Sequence, residues 1–471
     1  MPKQASNPVR SHYLPLVGEK SRIFYHIHRA GAVPEKRYEF SPGVKDEDHQ
    51  LGIDHTKPTL LMVHPLAMGS VHLQRQYGSP ELRASYNIVT FDLRYHGRSH
   101  AEPHEAYDAW VAAAEAATVV VSSLDVKAVH LFASCAWGCT VAMRFAALFP
   151  HRVLSCVLDG TPWIGKESEA AKSIYGALGA AWMEPRDEDE VHEVIDEMLW
   201  YKWGGKQHLS IDEYDYLAGI LLRAGSAKKA VTLLMWTTSL LERPDFPPEA
   251  YADIRVPVMI LRGEDDAGYP VEAVSDLCDS LVNANVRYEE IQGAAYVTSF
   301  THAEQVNNLL LEFFPTAPLE PPFSPPQDEF ARALERLAHF SSQPSIATRK
   351  PANRPLNFGV KTHSECASFR EQIEEAKRLA SLAFDVRGQN TPDPWDDVSD
   401  EERFRWRFSQ RDEGFPDISE RRPSLGDPES ERGLLVETVE TARAGDEEGQ
   451  ELDGTTDRMD RMKVTGQVAA V

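Results

Sequence analysis

No stretch of this chain approaches the ~18–20 consecutive apolar residues that a membrane span needs. Basic residues are scarce: 49 Lys and Arg stand against 73 Asp and Glu, for a formal net charge of −24. Such a surface repels phosphate backbones and anionic lipid, so neither a nucleic-acid partner nor a membrane partner is expected. Cysteine is sparse and unpatterned. Cys135, Cys139, Cys156, Cys278 and Cys366 are odd in number and lack the C-x-x-C spacing of zinc or redox sites. They read as reduced thiols of an intracellular protein, with no metal and no organic cofactor implied. The opening residues Met-Pro-Lys-Gln-Ala-Ser-Asn hold no apolar run of the kind a signal peptide needs, so the expected location is cytoplasmic.

What is there suffices for a large core: 42% of the 471 residues are hydrophobic, more chain than one ordinary domain requires. Ser21 to Arg29 alternates apolar and polar residues, as a half-buried strand does. Thr59 to Val63, Tyr86 to Phe91, Val153 to Leu158 and Val256 to Leu261 are continuous apolar runs, the mark of strands buried on both faces. Arg287 to Ile291 predicts the last strand. Helical spacing falls between these runs, at Tyr107 to Leu124, Val271 to Leu281 and Ala303 to Phe314. The alternation predicts an α/β fold with a doubly wound, mostly parallel sheet. It is interrupted at about 164–250, where helices rich in Trp and Tyr predict an all-helical cap.

After Phe314 the composition changes. Pro315 to Gln327 contains six prolines, a stiff linker. Residues 317–386 read as this linker plus short helices at Phe330 to Phe340 and Cys366 to Phe384. Residues 387–471 are acidic, Gly/Pro-punctuated and poor in aliphatics, and read as a disordered tail able to bind a protein partner. Arg421-Arg422-Pro423-Ser424 within it has the basic pair that basophilic kinases favour.

The chemistry concentrates in Val129 to Pro150, where an apolar strand runs through a cluster of small residues into an Ala-rich helix. Strand, tight turn and helix in that order make a nucleophile elbow, which carries an attacking residue on strained backbone. The usual G-x-S-x-G is absent. Counted from the strand, Ala133-Ser134-Cys135-Ala136-Trp137 puts Cys135 at the apex and Trp137 where a small residue is wanted. Counted back from the helix, Ser134-Cys135-Ala136-Trp137-Gly138 puts Ala136 there, with no chemistry to offer. The turn reads one residue longer than the pattern, and both registers stay open.

Over about residues 12–316 this order resembles the α/β-hydrolase superfamily. Phe91-Asp92-Leu93-Arg94-Tyr95-His96-Gly97-Arg98-Ser99 is similar to its F-D-x-R-G-x-G-x-S, with Tyr95 replacing a glycine, and His64-Pro65 stands where it carries His-Gly. Gly263-Glu264-Asp265-Asp266 resembles its acid loop. Gly293-Ala294-Ala295-Tyr296 matches the place of its catalytic histidine. The resemblance implies a hydrolase core in which a nucleophile attacks, a histidine shuttles protons, an acid orients it and two backbone N–H groups hold the oxyanion. Carried onto this chain, the candidates are Cys135 as nucleophile, Asp266 as acid, His302 as stand-in base, and Leu66 and Ala136 as oxyanion donors. A phenol is a poor base at neutral pH, so Tyr296 breaks the set. His64 and His96 read as structural, Ser134 as too crowded by Phe132, and Asp159 as an alternative acid. The sequence therefore predicts a degenerate triad: a non-catalytic or weakly active binding or scaffold protein holding an apolar small molecule. The alternative is a hydrolase of apolar ester- or lactone-like substrates through Cys135.

Overall fold

The computed structural model describes residues 13–31, 52–124, 126–160, 169–225, 229–266, 268–318, 320–321 and 323–382. The expectations for the acidic tail beyond 386, its Arg-Arg-Pro-Ser motif and most of the loop at 30–58 lie outside these residues. Eight strands form one sheet: β1 (Tyr13–Pro15), β2 (Arg22–His28), β3 (Thr59–Val63), β4 (Asn87–Phe91), β5 (Val129–Ser134), β6 (Val153–Asp159), β7 (Val258–Gly263) and β8 (Val286–Ile291). Their order is β1-β2-β4-β3-β5-β6-β7-β8. β1 and β2 are antiparallel to their neighbours and the rest run parallel. Every residue of β3, β4, β5, β6 and β7 is buried, as their apolar sequences predict. β1 is the element the sequence hides: three residues on a sheet edge carry too little periodicity to be seen.

Successive residues of each strand serve opposite faces. Leu61, Val63, Val89, Leu131 and Leu158 join the larger apolar cluster, while Leu60, Met62, Ile88, Phe132 and Val157 join the smaller. The larger face receives α1 (Ala109–Ser123) and α2 (Cys135–Leu148). Asp108 caps α1, its Oδ1 accepting from the N–H groups of Trp110 and Val111. Between β6 and β7 the chain forms α3 (Glu169–Met183), α4 (Glu188–Trp203), α5 (Ile211–Ala224) and α6 (Ala230–Leu241). Asp187 caps α4 at its start and Gly204, in the left-handed region, ends it. Then come α7 (Val271–Ser280) and α8 (Ala303–Phe313), the latter on the smaller face through Val306, Leu310 and Phe313.

Beyond the prolines, α9 (Glu329–Phe340) and α10 (His363–Leu382) contribute Phe330, Leu334, Leu337, Phe369 and Ile373 to the larger cluster. Polar ties follow the same course. Arg336 Nε donates to Ala147 O of α2 at 2.8 Å, and the Val360 N–H donates to Asp108 Oδ2 at 2.9 Å. Among the described residues, no helix is long and apolar enough to cross a membrane.

Candidate active site

The elbow resolves to a single register. β5 continues through Ser134, and α2 begins at Cys135, whose φ is +67°. A non-glycine residue held left-handed between a strand and a helix is the strained apex such a turn requires. Cys135 therefore stands at the apex of the turn, and the extra residue suggested by the sequence does not exist. Trp137 is accommodated because its side chain is buried in the wall of a cavity beside the elbow. Close packing is supplied one residue later by Gly138, where a Cβ would stand 3.1 Å from the carbonyl oxygens of Val63 and His64.

Ser134 does not cap α2. Its hydroxyl donates to Asp159 Oδ2 at 2.9 Å, which leaves the first N–H groups of the helix facing the site. The N–H of Ala136, the expected oxyanion donor, donates instead to the hydroxyl of Tyr296. The same hydroxyl lies 3.5 Å from Cys135 Sγ. Tyr296 is 1% exposed. Its ring rests against Tyr269 and Tyr201, with centroids 4.9 and 5.5 Å away. It also fills the space over Gly160, where φ is +89° and a Cβ would come within 2.8 Å of Tyr296 Cε2. Burial, and then the neighbouring Cys135 thiol, push the phenol well above its usual range, so it stays protonated.

The acids are diverted as well. Asp159 is fully engaged: Oδ1 accepts from the Thr298 N–H and hydroxyl at 3.0 and 2.7 Å, and Oδ2 accepts from Ser134 Oγ and the Ser299 N–H. It pins the segment after Tyr296 to the end of β6. Asp266 sits in the loop after β7. Its Oδ1 accepts from the Gly268 and Tyr269 N–H groups at 2.8 and 3.0 Å, which fixes the backbone of the tyrosine stacked on Tyr296. Its Oδ2 is buried with no hydrogen-bond partner among the described residues. Burial, opposed by those two N–H groups, raises the carboxyl to about 7.

His302, the expected stand-in base, is not among the residues lining the cavity; it follows the turn Thr298–Thr301, which Asp159 holds. Its Nδ1 lies 3.0 Å from Thr301 Oγ1, and it lines a surface depression with Gln305 and Asn308 rather than the cavity. His64 and His96 are both tied to backbone groups. His64 Nε2 accepts from the Leu93 N–H at 2.9 Å while Nδ1 meets Pro65 O at 2.8 Å, and His96 Nδ1 meets Arg94 O at 2.9 Å. Burial lowers the pKa of both, so both are neutral. Leu66, the other expected oxyanion donor, presents its carbonyl, which accepts from Lys202 Nζ at 2.7 Å.

The cavity has about 90 Å³ of free space. Cys135, Ala136 and Tyr296 form its floor, and Tyr175, Trp182, Tyr201 and Trp236 from the inserted helices wall it. Among the described residues, no histidine and no carboxylate lines it, and Lys202 is its one charged side chain. The sequence reading missed Lys202. The available signal was a lone lysine in the aromatic run Trp200-Tyr201-Lys202-Trp203.

A buried parallel sheet that offers a strained elbow at its carboxyl edge, beneath an inserted set of helices, defines a class of α/β protein. The alpha/beta hydrolase fold family matches residues 58–182. The structure is similar to a thermophilic esterase from Thermogutta terrifontis, with 16% identity, 64% of this chain and 97% of that chain covered, and a TM-score of 0.50. It is also similar to the enol-lactonase from Burkholderia xenovorans LB400, with 14% identity, 64% and 99% covered, and a TM-score of 0.48. The chain has the α/β-hydrolase fold.

Proposed function

We propose that this chain is a small-molecule-binding protein of the α/β-hydrolase fold whose acyl-transfer machinery is degenerate. The observation that carries the reading is the position of the Tyr296 hydroxyl, on the Ala136 N–H and beside Cys135 Sγ. A protonated phenol accepts no proton from the thiol, and it occupies the amide that would stabilise a tetrahedral oxyanion. Base and oxyanion donor are lost to one side chain. The orphaned Asp266 Oδ2, with no imidazole to orient, supports the same reading. The apolar cavity is retained, and its natural occupant is an apolar small molecule.

One observation favours the second reading, a thiol hydrolase of ester- or lactone-like substrates: Cys135 keeps the strained apex and lines the cavity. Parallel labelling with thiol-directed and serine-directed active-site probes, alongside a short-chain ester assay, separates the two. The degenerate reading expects no serine labelling and no turnover above that of Cys135→Ala. Ester turnover that Cys135→Ala abolishes supports the hydrolase.

A further inference from the structure

We propose that the cavity is a receptor for a small apolar carboxylic acid, whose carboxylate pairs with Lys202 while its hydrocarbon part lies on the aromatic wall. The proposal rests on the binding reading above and names the class of ligand. Lys202 is 5% exposed, in the last turn of α4. Its Nζ has a single hydrogen bond among the described residues, to Leu66 O, although an ammonium has three N–H donors. No carboxylate lies within ion-pair distance of it among those residues. Burial lowers the Lys202 pKa, with Cys135 opposing that shift, and among the described residues it acts electrostatically on His64, His72 and His96.

An ammonium buried without a counter-charge is costly, and the cost falls when an anion arrives. The rest of the wall discriminates further: Leu178, Met198, Leu233 and Leu240 offer nothing to a polar ligand, and the other polar side chains lining it, Thr237 and the tyrosines, are neutral hydroxyls. One ammonium satisfies a monoanion but not the several oxygens and higher charge of a phosphate. The free space is smaller than the ~150 Å³ apolar cavity that takes benzene, so the ligand is short: butanoate has as many non-hydrogen atoms as benzene, and pentanoate and hexanoate test where the fit ends.

The test is calorimetric titration of the full chain with butanoate, pentanoate and hexanoate and with the matching primary amides, in wild type, Lys202→Met and Lys202→Arg. Wild type should bind the best acid at least about tenfold more tightly than its amide. Lys202→Met should erase that preference while still binding the amide, and Lys202→Arg should keep part of it. Replacing a buried charge by an apolar side chain of similar volume is often neutral for stability. If Lys202→Met nevertheless fails to fold, the acid/amide comparison in wild type decides alone. Equal affinity for acid and amide, a preference that survives Lys202→Met, or no acid binding at millimolar concentration each overturns the proposal. Methyl hexanoate incubated with the same samples keeps the two readings apart. Its hydrolysis contradicts the degenerate reading and leaves the acid preference standing, whereas a missing preference without turnover contradicts only the proposal.

Discussion

Tyr296 Oη takes the Ala136 N–H and lies 3.5 Å from Cys135 Sγ. Under the proposed function, one side chain thus stands at three places: in the sequence position expected of the proton shuttle, on the N–H expected to hold the oxyanion, and against the thiol at the apex of the turn. The cost of removing any one of these is large in an acyl-transfer site, about 10²–10⁴ in rate for the base alone and about 10²–10³ for one oxyanion donor.

Tyr296→His should reverse part of this. An imidazole is shorter than a phenol, so the Ala136 N–H is vacated, and Asp266 Oδ2 has no partner among the described residues to give up. Hydrolysis of p-nitrophenyl acetate is expected to rise at least about tenfold over wild type and to vanish in the double variant with Cys135→Ala. No gain over wild type contradicts the assignment of the loss to Tyr296.

Gly160→Ala tests how firmly the phenol is held. The new methyl would meet Tyr296 Cε2 at 2.8 Å on a backbone already at φ +89°. Strain and overpacking together predict a loss of about 1–3 kcal/mol in urea unfolding. Displacing the ring also uncovers the elbow, so Cys135 should alkylate faster with iodoacetamide. An unchanged rate contradicts the packing account of Tyr296.

Asp266 gives the fold a pH dependence. Its carboxyl is raised from 3.8 to about 7 by burial. Between those values the folded chain holds a proton that the unfolded chain has lost, so this group's contribution to stability declines as pH rises from about 4 to about 7. The full effect is on the order of 4 kcal/mol. Urea midpoints at pH 5.5 and 8 should therefore differ less in Asp266→Asn than in wild type. An equal difference contradicts the buried, unpaired state of Oδ2.

How much of this the sequence disclosed depends on whether the cause is local. The strands β3 to β7 are readable because burial on both faces demands unbroken apolar runs such as Thr59 to Val63. The elbow is readable as a place but not as a register. Ala133, Ser134, Cys135 and Ala136 are all small, and only the left-handed φ of Cys135 distinguishes them. The substitution at Tyr296 is visible from the Gly-Ala-Ala-Tyr motif. Its contact with Ala136 is not, because it spans 160 positions. Lys202 escapes for the same reason: its partner, Leu66 O, is 136 positions away on another element. His302 lines a surface depression, and the short turn before it, which Asp159 pins, is not legible in the sequence.

The C-terminal helices should matter more than their distance from the elbow suggests. α9 and α10 bury Phe330, Leu334, Leu337, Phe369 and Ile373, and full burial of each such side chain is worth about 1.5–3 kcal/mol. Their sum is comparable to the ~5–15 kcal/mol that holds a whole domain folded. A chain ended at residue 316 should lose its cooperative thermal transition, whereas one ended at 386 should keep its midpoint within a few degrees. Calorimetry of the two truncations checks this, and a cooperative transition in the shorter chain contradicts it.

Steady-state turnover of a panel of short-chain esters and lactones, by wild type and Cys135→Ala side by side, tests the central claim most directly. The account predicts rates that do not differ between the two proteins. A wild-type rate well above that of Cys135→Ala, for any member of the panel, contradicts it.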